Sequence, residues 1–291
     1  MSASAKIRFM IAQLPSTPHL SVSIVLYHSQ IKLLRATVAS LYQSALKAMQ
    51  ESHLVSVDLM LVDNSESAEY AASVRALLET LHFDSFFSIH FSQAAQNSGF
   101  GGGHNSVISR LASDYHLILN PDVDLGETAL CTGLAALVND GELALVSPRV
   151  LGPEGAQEFL CKAYPSVLVL LLRAFAPEFI CRWFRSKLDN YELREVCEGA
   201  EPVEVLIASG CFMLLRTQSL QSAGGFSKKY FLYFEDFDLS LRLREYGQLV
   251  FLPSMGITHH GGYAATKGGS HIRSFIRSGL RFFNDHGWKW I

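Results

Sequence analysis

Short apolar runs alternate with segments whose apolar residues recur every three or four positions. Val22–Tyr27, Val57–Val62, Phe86–Phe91, Tyr115–Leu119 and Leu143–Ser147 are apolar and rich in β-formers, and read as strands. Between them, Leu34, Val38, Leu41 and Ala45 share one helical face, and Val74, Leu77, Leu78 and Leu81 share another. Val107, Ile108 and Leu111 mark a third helix, and Leu130, Leu134, Leu137 and Val138 a fourth over Thr128–Val138. Such alternation predicts an α/β fold with a mostly parallel central sheet flanked by helices.

The rhythm breaks over residues 150–204. Gly152-Pro153-Glu154-Gly155 reads as a turn. Val167–Leu172 is apolar, and Arg173, Arg182, Arg185 and Lys187 follow, interleaved with Phe175, Phe179, Trp183 and Phe184. This mixture predicts an irregular or helical insertion, and it also suits contact with an anionic lipid surface. Further on, Val205–Ala208 and Cys211–Leu215 read as one bent strand or two, and Leu249–Leu252 and Gly256–Thr258 as short β segments. Ile272, Phe275, Ile276 and Phe283 mark a final helix carrying Arg273, Arg277 and Arg281 at i, i+4 spacing. Packing on the domain is favoured for it over lying on a membrane or a phosphate-bearing partner.

Composition narrows the function classes. A chain of 291 residues can bury a large core, and its formal charge of −3 provides no general attraction for nucleic acid. The five cysteines are scattered without paired spacing, which disfavours a disulfide framework or a zinc site and suits a reducing cytoplasm. The N-terminal apolar stretch is too weak for a signal peptide, and no run approaches the length of a membrane span. Any membrane contact is therefore expected to be peripheral.

Candidate chemistry gathers at the ends of the expected strands, the edge where open α/β sheets bind ligands. Val22–Tyr27 leads into Tyr27-His28-Ser29, and the second strand ends in Asp63-Asn64-Ser65. Asp63 suits a hydrogen bond to a base or ribose, and equally a cap on the next helix. The third strand leads into the glycine-rich Asn97–Asn105, where backbone can approach a ligand closely and a helix start favours anions. This is neither the dinucleotide fingerprint nor a Walker loop. The fourth strand ends in Asn120-Pro121-Asp122-Val123-Asp124. Two carboxylates so spaced can hold a divalent cation over a diphosphate, although Asp-rich turns are common after strands. Glu235, Asp236 and Asp238 crowd beside an aromatic run; crowding raises a carboxyl pKa and suits a general base, while Asp236 or Asp238 could also cap the helix. Of His259 and His260, at most one can join Asp122 on a metal, since strand neighbours face opposite ways. Cys211 reads as a small core residue.

The ordered set Val22–Ser29, Leu61–Ser65, Asn97–Asn105, Leu119–Asp124, Ser209–Arg216, Gly224–Arg242 and His259–Gly262 resembles the family 2 inverting glycosyltransferases of GT-A fold. Within them it looks most like the bacterial rhamnosyltransferase branch. The likeness spans nearly the whole chain and is weakest over 150–200. It implies one domain over 1–291, with a Rossmann-like nucleotide-sugar-binding half at 20–148, an acceptor-binding and catalytic-base half at 149–265, and a C-terminal helix at 266–291. It implies that Asp63 binds the base beside Tyr27 and Ser29, and that Asn97, Gly99, Gly102 and Asn105 lie near the nucleotide sugar. Asp122 would bind Mg²⁺ or Mn²⁺ with His259, with His260 as fallback. The family's first motif Asp is Asn120 here, and Asp124 is implied as a further metal ligand. Asp236 is the implied base, with Glu235 beside it. The implied reaction moves a sugar, rhamnose from dTDP-rhamnose, to a hydroxyl of a glycan or lipid-linked glycan acceptor at the cytoplasmic face of a membrane.

Two other classes are weighed against this. A nucleotidyltransferase would carry a Gly-rich, Arg/Lys-bearing loop after its first strand, where Tyr27-His28-Ser29 stands. A non-catalytic sugar-nucleotide-binding protein would have no need of Asp63, Asp122, Asp236 and His259 together.

Overall fold

The computed structural model describes residues 18–261 and 269–291. In order, the first half holds β1 (His19–Leu26), α1 (Ile31–Gln50), β2 (Ser56–Asp63), α2 (Ala68–Glu79), β3 (Phe87–Gln93), α3 (Gly99–Ile108), β4 (Tyr115–Leu119), β5 (Val123–Leu125), α4 (Ala129–Asn139) and β6 (Leu143–Leu151). The second half holds β7 (Gln157–Glu158), α5 (Val167–Phe175), α6 (Glu178–Trp183), α7 (Arg185–Tyr191), α8 (Arg194–Glu198), β8 (Val203–Glu204), β9 (Phe212–Arg216), α9 (Thr217–Ser222), α10 (Glu235–Leu243), β10 (Gln248–His259) and α11 (Gly269–His286).

One sheet runs β3-β2-β1-β4-β9-β6-β10-β5, with β7 beside β6 and β8 beside β10. The first four strands are parallel, as are β6 and β10. However, β9 is antiparallel to both β4 and β6, and β5, β7 and β8 are antiparallel to their partners. The sheet is therefore mixed, which corrects the expectation of a mostly parallel one. A parallel pair requires a crossover back to the same edge. The segment before β9 makes none, so β9 starts where β4 ends, with Phe212 opposite Leu119. That reversal matters to the site below.

β1, β2 and β4 bury Val22, Ile24, Leu59, Leu61, Leu117 and Leu119 against Leu34, Val38 and Leu41 of α1 and Leu130 and Leu134 of α4. Each such side chain contributes roughly 1.5–3 kcal/mol. On the other face Ile118, Met213 and Leu215 meet Phe226, Leu239 and Leu243. A third cluster joins Phe234 and Phe237 to Phe275, Phe282 and Phe283.

Other expectations change in detail. The two β segments near 250 are one strand, β10, whose register against β6 shifts between Leu252 and Gly256. Pro253 sits in that gap, and it has no N–H for the ladder. Ile207 makes only an isolated bridge with Lys162, so the Val205–Ala208 strand does not form. The insertion is helical, with α5 to α8. On α11, Phe275, Phe282 and Phe283 pack inward, while Ile272 and Ile276 are 49% and 48% exposed. Among the described residues no helix is long and apolar enough to cross a membrane.

Candidate active site

The strand register brings the carboxyl ends of β1 to β4 into one row: Leu26 faces Asp63, Asp63 faces Gln93, and Ile24 faces Leu119. Asp63 is fully buried. Its Oδ1 accepts the Ser65 N–H at 2.8 Å, while Oδ2 has no hydrogen-bond partner among the described residues. Asp63 is not a helix cap, because Ser67 caps α2 by accepting from Tyr70 N–H. A buried carboxylate oxygen without a donor is costly unless something supplies one. Tyr27 is exposed at the end of β1, and Ser29 is half-buried in the following loop. Tyr27, Asn97 and Gly99 line a cavity of about 350 Å³ together with Phe231, His271 and Ser274.

The glycine-rich stretch is helix rather than loop from Gly99 onward. Its glycines answer to packing. A Cβ on Gly99, which has φ +76°, would lie 2.1 Å from the Phe231 carbonyl oxygen, and one on Gly103 would lie 2.6 Å from the Val25 side chain. On Gly102 it would meet Ser98 at 2.7 Å. Asn97 Oδ1 accepts the Gly99 N–H at 2.9 Å and so shapes the helix entry. The Asn105 amide donates to the Phe226 carbonyl at 2.7 Å and accepts the Phe226 N–H at 2.9 Å. Both polar atoms of its amide thus clamp the 226 loop.

Three hydroxyls of α1 hold the segment that carries the Asp pair. Thr37 Oγ1, Ser40 Oγ and Ser44 Oγ accept from the N–H groups of Val123, Leu125 and Leu130 at 3.0–3.1 Å. At the ends of β5 and β10 the acids and histidines fall into two pairs. His260 Nε2 donates to Asp124 Oδ2 at 2.7 Å. His259 Nε2 stands 3.7 Å from Asp122 Oδ1, an oxygen buried without a hydrogen-bond partner among the described residues. Among the described residues no group of three metal-capable side chains is assembled. Asp124 is accordingly not grouped with Asp122 and His259 as expected; its partner is His260.

The Asp122–His259 pair fits a cation in its own right. A separation of 3.7 Å is too long for a hydrogen bond, and cis donors on an octahedral cation stand roughly 3 Å apart, so the pair would close by under about 1 Å to share Mg²⁺ or Mn²⁺. Such ions retain waters and substrate phosphates as their other ligands, so two protein donors suffice. A Cβ on Gly261 would lie 2.5 Å from His259 Nε2 and 2.8 Å from Asp122 Oδ2, filling that same gap. Glu158 Oε2 lies 3.0 Å from His259 Nδ1. A carboxylate only accepts, so this contact keeps the proton on Nδ1 and leaves the Nε2 lone pair for a ligand. Sequence reasoning missed Glu158 and Gly261. The turn at Gly152–Gly155 was a usable signal, since a hairpin return places Glu158 opposite Val150 at the strand end.

Asp236 opens α10, and its Oδ2 accepts the Gly210 N–H at 3.0 Å. Neither Asp236 nor Asp238 caps the helix; Phe234 holds the cap position without a side-chain bond. Asp238 instead binds Arg242 at 2.7 Å and His286 at 2.8 Å, tying α10 to α11. Burial pushes the Asp236 carboxyl above its ordinary range despite the Gly210 N–H. Burial and the charge of Asp236 raise Glu235 likewise. Because β9 starts where β4 ends, Asn120 N–H donates to the Cys211 carbonyl at 2.9 Å, next to Gly210. Burial pushes the Cys211 thiol up to about 12, and the charges of Asp122, Asp236 and Glu158 act in the same direction. The Asn120 and Gly210 bonds thus bring the backbone leading to Asp122 next to the backbone that holds Asp236. Phe100, which lines the 350 Å³ cavity, also packs under Gly210 beside Asp236.

No family model matches the chain. It is 28% identical over 208 residues to "N-acetylglucosaminyl-diphospho-decaprenol L-rhamnosyltransferase" of two Mycobacterium tuberculosis strains, CDC 1551 / Oshkosh and ATCC 25618 / H37Rv. The match takes in 67% of this chain and 66% of each relative. Among solved structures, GalNAc-T7 with UDP, GalNAc and Mn²⁺ superposes with TM-score 0.62 at 12% identity, over 93% of this chain and 48% of that one. The mannosyltransferase PcManGT of Pyrobaculum calidifontis with GDP-Man and Mn²⁺ gives 0.59 at 14% identity, over 93% and 66%. The chain therefore has the GT-A glycosyltransferase fold and is related to bacterial rhamnosyltransferases.

Proposed function

We propose that this chain is an inverting glycosyltransferase that moves a sugar from a nucleoside-diphosphate donor to an acceptor hydroxyl. The observation that supports the reading is a pair of backbone bonds at neighbouring residues: Asn120 N–H, two residues before Asp122, donates to the Cys211 carbonyl, and Gly210 N–H donates to Asp236. A single displacement at the sugar C1 needs support for the departing diphosphate on one side and a proton acceptor on the other. Asp236 takes the acceptor proton as that oxygen attacks C1, and its raised pKa suits the role. The unpartnered Oδ2 of Asp63 receives an N–H of the donor's base, with Tyr27, Asn97 and Gly99 around the nucleotide. Asp122 and His259 hold Mg²⁺ or Mn²⁺, which when bound neutralises charge developing on the diphosphate.

The 20–148 segment is read as the donor half and 149–265 as the acceptor and base half. The donor is dTDP-rhamnose and the acceptor a lipid-linked glycan at the inner membrane face. The mycobacterial relatives support this choice, since their name specifies a rhamnosyl transfer onto a decaprenol-diphosphate sugar. The test is release of nucleoside diphosphate from a panel of dTDP-, UDP- and GDP-sugars, with Mn²⁺ or with chelator. Slow, metal-dependent release from dTDP-rhamnose is expected. Pyrophosphate chemistry in its place, or no turnover of any donor, overturns the reading.

A further inference from the structure

We propose that the outward face of α11 is a docking surface for an anionic phospholipid bilayer. Ile272, Ile276 and Leu280 form an apolar stripe at i, i+4, i+8, each about half exposed, with nothing among the described residues covering it. Arg273, Arg277 and Arg281 run beside it, one position further along. Together with Lys229 these side chains line an open groove of about 740 Å³. A helix with an apolar stripe flanked by arginines lies in the headgroup plane, with the aliphatic side chains in the acyl boundary and the cations on lipid phosphates.

The charges select this face over others. The whole chain is mildly acidic at −3, so any attraction to an anionic surface must be local. The arginines of the helical insertion are held by acids: Arg173 by Glu192, Arg182 by Glu178, and Arg185 and Arg194 by Asp189. Among the described residues Arg273, Arg277 and Arg281 have no ion-pair partner; Lys229 has one in Asp285, at 3.0 Å. The same helix sends His271 and Ser274 into the 350 Å³ cavity. A bilayer seated on α11 therefore holds the mouth of that cavity close to the lipid surface. Only this last step, the use of docking to reach a lipid-linked acceptor, rests on the function proposed above.

The experiment is flotation of the full chain with phosphatidylcholine vesicles, with or without about 30 mol % phosphatidylglycerol, in the absence of donor and acceptor. Binding is expected only to the anionic vesicles, and high salt should weaken it. Replacing Arg273, Arg277 and Arg281 together by Gln should lower partitioning by roughly a hundredfold. A second variant with Ile272→Ser, Ile276→Ser and Leu280→Ser should also lose binding, with an unchanged thermal melt. Equal binding to neutral vesicles, wild-type partitioning in both variants, or no binding by the wild type overturns the proposal. So does a dimer in sedimentation that the Ser variant dissociates, since a second copy would then be the occupant. Because the assay contains no substrate, its failure leaves the metal-dependent release test standing.

Discussion

At the scale of single residues, Asp236 and Gly261 make the sharpest tests. Asp236→Asn keeps the acceptor oxygen for the Gly210 N–H but removes the proton acceptor. Donor binding by calorimetry should stay near wild type while transfer falls by about 10²–10⁴-fold; transfer near the wild-type rate would exclude Asp236 as the base. Since burial holds its pKa above the carboxylate range, the wild-type rate should also fall as pH drops through that raised value. Gly261→Ala would place a methyl group 2.5 Å from His259 Nε2, in the gap facing Asp122. Mn²⁺ affinity, read by electron paramagnetic resonance, should fall at least tenfold with the melting temperature of the metal-free protein unchanged. Glu158→Gln should weaken the same affinity by roughly 10–100-fold, the usual range for a group that orients a metal-binding histidine. Undiminished Mn²⁺ binding in both variants would remove the cation from this pair.

At the scale of elements, α10 shows how the backbone aims its acids. Tyr233 and Phe234 are both left-handed, with φ +68° and +66°, a conformation costing roughly 1–2 kcal/mol per residue. Phe234 is held in it by Phe275 and Phe282, with ring centroids 5.2 and 5.4 Å away. The sharp entry buries Glu235 and leaves its Oε2 without a partner among the described residues. The folded state binds that proton more tightly than the unfolded chain does. Stability is therefore lost as pH rises from the unfolded carboxyl value through the raised folded one. Glu235→Gln removes the charge at similar volume and should stabilise the protein by about 1–3 kcal/mol near pH 8, with little gain at pH 4. Urea unfolding at the two pH values checks this, and an equal effect at both would contradict it.

Across the whole molecule, a hydrogen-bonded polar chain runs through the sheet's core from β1 to α3 and β4. Ser23 Oγ bridges His104 Nδ1 at 2.7 Å and His116 Nε2 at 2.8 Å, and His116 Nδ1 meets Ser21 Oγ at 2.7 Å. Burial lowers His116 to about 3 and His104 well below its ordinary value. Both are neutral in the fold, while the unfolded chain takes up protons below about pH 6.5. Each should therefore cost about 1.4 kcal/mol of stability per pH unit as pH falls from 6.5 toward the folded value. A stability that stays flat from pH 6.5 to 5 by urea unfolding would contradict this.

Local pattern carried much of the architecture. The β4 strand falls on Tyr115–Leu119 as read, and the buried face of α1 includes Leu34, Val38, Leu41 and Ala45. Period and burial are linked along a single element, so both can be seen without knowing its neighbours. The acids and glycines at strand ends were visible for the same reason. Strand direction was not, because β9 and β5 take theirs from partners more than 60 residues away in sequence. Nor could periodicity separate Asn105, bound to Phe226, from the residues that line the cavity, or pair His260 rather than His259 with Asp124. The chain's chemistry is written in its residue types; which of them meet is set by the register of distant strands, since opposing side chains become neighbours only once the ladder forms.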